Sequence, residues 1–151
     1  PAATLAEAAR VLKPGGRLVF ACWRTLPENE WSAVPFMAAR DLLPPQAPPD
    51  PTAPGPFAFA DAARVKNILE QAGFRNVRIE KLDTNMHMGA GLDEAVDMST
   101  KAGPLARALG GIEDEAVKTK IRARVKDALA KYAKPGGVSA PAACWLVEAS
   151  A

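Results

Sequence analysis

His87 is the only histidine in the chain. An imidazole, with an ordinary pKa of about 6.5, suits a general base that takes a proton from a nucleophilic oxygen or nitrogen. The competing reading is a solvent-facing or hydrogen-bonded loop histidine. Asp83, Asp93 and Glu94 lie close to it along the chain. They read first as loop and helix-start carboxylates, since an acid suits the positive end of a helix. Trp23, Trp31, Phe36, Phe57, Phe59, Met86 and Met88 are large apolar residues that could line a pocket for a small molecule. For them the competing reading is ordinary core. Cys22 and Cys144 form no CxxC pair and no metal spacing, and read as buried free thiols, near each other and reduced. No metal site is expected.

The bulk composition narrows the class. A chain of 151 residues is long enough to bury roughly 70% of its unfolded surface. Hydrophobic residues make up 48%, and Lys+Arg 19 against Asp+Glu 17 gives a net charge of only +2. That balance does not point to nucleic acid. The basic run Lys118, Lys120, Arg122, Arg124, Lys126 falls mainly off the apolar stripe of its segment and has no interleaved aromatics. It reads as a solvated face. No stretch is long and apolar enough to span a bilayer, so no membrane partner is expected and a cytoplasmic location is. The start at Pro1, without an initiator Met, leads to the expectation that the chain is a portion of something longer.

The elements that must position these residues follow from periodicity. Thr4–Leu12 places Leu5, Ala8, Ala9 and Leu12 on one helical face. Pro14 and Gly15-Gly16 then force a reversal. Arg17–Trp23 reads as a strand apolar on both faces and therefore covered on both. Trp31–Leu43 reads as a helix with Trp31, Val34, Met37 and Ala38 inward and Pro35 in its first turn. Residues 43–56 hold half of the chain's 14 prolines and read as an extended strap. Asp61–Ala72 is the clearest helix, capped by Asp61, striped by Val65, Ile68, Leu69 and Ala72, and ended by Gly73. Phe74–Met86 is a second strand. Gly91–Leu109 is helical with a break at Gly103-Pro104. Glu113–Ala133 is a long helix striped by Val117, Ile121, Val125, Ala128 and Tyr132. Ala142–Ala149 is a closing strand. Gly110-Gly111 and Gly136-Gly137 read as helix terminators, and Gly89-Ala90-Gly91 as a loop before a helix.

Three of these junctions carry a resemblance. Leu12-Lys13-Pro14-Gly15-Gly16-Arg17-Leu18-Val19-Phe20 resembles the helix, PGG turn and strand that enter the fifth strand of class I S-adenosylmethionine-dependent methyltransferases. Ile68-Leu69-Glu70-Gln71-Ala72-Gly73-Phe74 resembles the LxxAGF helix end before the sixth strand of that family. Ala143-Cys144-Trp145-Leu146-Val147-Glu148 resembles the seventh, antiparallel strand. The small-molecule, type 11/12-like branch is closest in pattern.

The resemblance implies an α/β fold: a partial Rossmann-like sheet of fifth, seventh and sixth strands, the seventh between the other two. It also implies one domain over residues 1–151, with cap insertions at 24–56 and 87–137. The glycine-rich ExGxGxG turn of the cofactor-binding half has no counterpart here. S-adenosylmethionine would therefore serve the longer parent and is not expected to bind this chain alone. A small-molecule methyl acceptor is the implied partner. Strand 17–23 would have a free edge, which invites self-association. A different class of function, a non-catalytic interaction module that pairs through that edge, stands beside the methyltransferase reading.

Overall fold

The computed structural model describes residues 2–45 and 53–151. The middle of the proline-rich strap lies outside the described residues. The elements in order are α1 (Ala2–Val11), β1 (Arg17–Trp23), α2 (Glu30–Ala39), α3 (Ala62–Gln71), β2 (Arg75–Gly89), α4 (Leu92–Lys101), α5 (Gly103–Leu109), α6 (Glu115–Leu129), β3 (Ala133–Lys134) and β4 (Gly137–Ser150). Short 3₁₀ turns follow β1, α2 and α6. The result is a mixed α/β fold around an open four-stranded sheet of order β1-β4-β2, with β3 pairing β4 off that path.

The local chemistry of the predicted turns explains several boundaries. At the start of β1, Gly15 takes φ +77°, and the Gly16 amide donates to the Lys13 carbonyl at 2.7 Å. The Asp61 carboxylate accepts from the amides of Ala63 (2.8 Å) and Arg64 (3.3 Å), which caps α3 as expected. At its other end the Phe74 amide donates to Leu69 and the Gly73 amide to Glu70, with Gly73 at φ +96°. This pairing is a Schellman closure, and its usual apolar contact joins Phe74 and Leu69 in one core cluster.

The chain divides into two compact units. The first comprises residues 2–25, 53–83 and 143–151 of those described. Its core joins Leu5 of α1, Val65 and Leu69 of α3, Phe74, and Val147 and Ala149 of β4. Leu18, Phe20 and Cys22 of β1 pack against this cluster. The second unit comprises residues 26–45 and 84–142 of those described. In it α2, α4, α5 and α6 pack on one another around Trp31, Val96, Leu105, Ile121, Val125 and Leu129.

β1 pairs antiparallel with β4 in the register Arg17↔Ser150 through Trp23↔Cys144. Within the second unit His87 of β2 contacts Ser139 of β4, while a Cβ at Gly137 would meet the Gly89 carbonyl. Two steps forward on β4 are two steps back on β2, so these strand ends also run in opposite directions.

Four expectations need correction. β1 is covered on one face only: Leu18, Phe20 and Cys22 face the helices, whereas Val19 is 50% exposed and Ala21 is exposed. Apolar composition marked both faces, but the described residues supply a layer to one. The buried face of α2 is Trp31, Ser32, Pro35 and Ala39, and Met37 is 54% exposed. Pro35 sits inside the helix rather than in its first turn. In α6 the buried residues are Ile121, Val125 and Leu129, so the stripe slips by one position at its end. Gly136-Gly137 ends no helix. It forms the tight turn between β3 and β4, with Ala133↔Val138 and Lys134↔Gly137 in register and Gly136 at φ +99°.

β4 is also longer than its predicted core, since it continues through Pro141. The reason lies in the ladder. The Arg24 amide donates to the Ala143 carbonyl and the Ala151 amide to the Gly16 carbonyl. Odd-numbered β4 residues therefore direct their backbone groups toward β1. At Pro141 β1 has already ended, so the missing N–H falls where no β1 residue needs it.

Candidate functional site

The six pocket candidates are shared between the two units. Trp23, Phe57 and Phe59 belong to the first, and Trp31, Phe36 and Met86 to the second. In the first, Phe59 stands against Phe20 with ring centroids 6.2 Å apart and packs on the core cluster. Its carbonyl accepts a long contact from Cys22 Sγ at 3.7 Å. Phe57 and Trp23 are half-buried.

A charged group that sequence reasoning passed over lies at the carboxyl end of β1. Arg24 is buried, 6% exposed, and its Nη1 donates to Asp83 Oδ1 at 2.5 Å. The guanidinium lies 5.3 Å from the centre of the Trp145 ring. Trp145 Nε1 in turn donates to the Ala60 carbonyl at 2.8 Å. The carboxylate, the indole face and the burial together hold the cation where β1 stops. The sequence marked this point only as the end of an apolar pattern. A long-range ion pair between residues 59 positions apart leaves no local signal.

Cys22 and Cys144 are both free. They occupy neighbouring strands, Cys22 opposite Trp145 and Cys144 opposite Trp23, and so point to opposite faces. Burial, with the nearby Cys144 as a smaller cause, pushes the Cys22 thiol up to about 11. Burial also raises Cys144. Neither is poised as a nucleophile at neutral pH.

In the second unit Trp31 is buried, and its Nε1 donates to Asn29 Oδ1 at 3.1 Å. Trp31, Ser32, Pro35, Ser99, Ala102 and Leu105 surround a cavity of about 10 Å³, the size of one water molecule. This is too small for an organic substrate. Phe36 and Met86 are half-buried, and Met88 is buried at 3%. His87 is exposed, with Nδ1 3.3 Å from Ser139 Oγ. The hydroxyl therefore shares a hydrogen bond with the ring. Asp93 pairs with Lys126, and the Glu94 carboxylate accepts from the Ala90 amide at 2.9 Å, as helix-start acids do.

The basic face of α6 is tied down by carboxylates. Lys118 pairs with Glu115, Arg122 with Asp97, Arg124 with Asp41 and Lys126 with Asp93. Its cations are engaged with their own acids rather than held open for phosphates. Among the described residues no cluster of His, Cys, Asp and Glu could hold a metal ion, and no helix is long and apolar enough to cross a membrane.

The glycines nearest to a cofactor motif do not fit a nucleotide. A Cβ at Gly89 would lie 2.5 Å from Glu94 Cβ and 3.1 Å from the Ala95 amide. The space that Gly89 leaves is occupied by α4, so no ligand can take it. No family model matches the chain, and no curated protein matches it.

Proposed function

We propose that the chain is the carboxyl-terminal, substrate-side portion of a class I S-adenosylmethionine-dependent methyltransferase that acts on a small molecule. The observation that carries the reading is the sheet order β1-β4-β2 with β4 antiparallel to β1. The resemblance required this order before any coordinate was seen. Two turn details add support. The PGG turn feeds β1 directly, and the AGF segment closes α3 in the Schellman geometry that launches β2.

In this reading the chain contributes apolar substrate-facing surface from Trp23, Phe57, Trp31, Phe36 and Met86. The cofactor is held by residues outside this chain, in line with the blocked space at Gly89. His87 is the candidate for deprotonating an acceptor, since the transfer needs alignment and a free electron pair on the nucleophile.

The test is calorimetric titration of the chain with S-adenosylmethionine, followed by mixing with a separately produced glycine-rich half of such an enzyme. The expected outcome is no binding alone and cofactor-dependent binding after mixing. Tight, stoichiometric cofactor binding by the chain alone would overturn the assignment of its role.

A further inference from the structure

The open edge of β1 carries an inference that rests on the strand order alone and not on the methyl-transfer reading. Even-numbered β1 residues spend their backbone hydrogen bonds on β4, as the Arg24–Ala143 and Gly16–Ala151 bonds show. The odd-numbered positions, Arg17, Val19 and Ala21 among them, turn their amides and carbonyls toward the outer side of the sheet. Among the described residues no strand pairs with that side. The devices that usually protect such an edge are missing. The strand reads RLVFACW, with no proline, no lysine and no charge between its ends.

We propose that this edge pairs with the same edge of a second copy, antiparallel about a two-fold axis at Phe20. That is the one antiparallel register that pairs all of Arg17–Trp23. It sets Val19 opposite Ala21 of the second copy and Leu18 opposite Cys22, larger against smaller in each case. Arg17, the only charge in the strand, falls opposite the Trp23 indole, a favourable cation–ring pairing. No like charges are opposed. Leu18, Phe20 and Cys22 of both copies share the face that α1 and α3 cover, so the apolar layers become continuous. The product is a single sheet of order β2-β4-β1-β1-β4-β2.

Sedimentation equilibrium over about a hundredfold range of concentration tests this. The wild-type chain is expected to shift from monomer to dimer. Val19→Pro removes an outward amide and no β1–β4 bond, and is expected to weaken association by at least about tenfold. Hydrogen exchange on the wild-type chain gives an independent readout. The Val19 and Ala21 amides should be protected at high concentration and exchange freely at low, while the Phe20 amide stays protected throughout. Three results would overturn the proposal: a wild-type monomer throughout, a Val19→Pro chain that associates as well as wild type, or edge amides whose exchange ignores concentration. If Val19→Pro fails to fold, the exchange data decide alone.

Discussion

At Gly137 the backbone takes φ +122°, and a Cβ there would lie 2.5 Å from the Gly89 carbonyl oxygen and 2.7 Å from His87 Cε1. Gly136 beside it, at φ +99°, faces open space. The two glycines thus do different work, one making a close approach between strands and the other only turning the chain. Gly136→Ala should cost about 1 kcal/mol, the penalty of the left-handed backbone. Gly137→Ala should cost upward of about 2 kcal/mol, because strain and collision add. Thermal denaturation of both variants measures the difference. Cys22 makes a second prediction. With its thiol pushed up to about 11, only on the order of one molecule in a thousand carries the thiolate at pH 8. Alkylation of the folded chain by iodoacetamide should therefore be slow and should accelerate sharply on unfolding, as mass spectrometry would show. At this scale the sequence revealed residues that act locally. Asp61 was recognisable as a cap because its acceptors lie two and three residues away. The buried Arg24 was not, because Asp83 and Trp145 reach it only through the fold.

The helices show how electrostatics and packing divide between faces. In α6 one side buries Ile121, Val125 and Leu129, and the other meets acids from neighbouring segments. The hydrogen bond from Arg122, and after it that from Lys101, holds the Asp97 carboxyl below the usual carboxylate range. Arg124 does the same for Asp41. A carboxyl whose folded pKa is depressed stabilises the fold above its unfolded value, and the contribution is lost as pH falls through the folded value. A double variant, Asp41→Asn with Asp97→Asn, should therefore melt modestly below wild type near neutral pH. The gap should close as the pH drops through the carboxylate range, and it should narrow in high salt. Melting curves across acid pH check both. Element type and order were legible from periodicity and turn residues. The exact buried stripe was less so. Alanine-rich α2 offers small residues on every side, so the position of Trp31 and Pro35 in the packed helix, rather than hydropathy, selects its inner face. The β3–β4 turn was misread because a Pro-Gly-Gly after a helix serves equally as its end or as a hairpin.

At the scale of the molecule, the first unit depends on Leu69, which is 0% exposed at the junction of α3 with the sheet. Leu69→Ala should cost about 2–5 kcal/mol, read from denaturant midpoints. The strand order followed from the resemblance of three short junctions, whereas the division into two units did not, since it depends on which segments meet in space. β2 and β4 each start in one unit and finish in the other, passing at Asp83–Thr84 and Ala142–Ala143. The first unit is consequently threaded from three separate lengths of polypeptide. No single scission can release either body intact, and shortening the gene from one end removes part of the first body before it reaches the whole of the second. Anyone wishing to isolate the helical body must splice its pieces with a designed linker in place of residues 53–83.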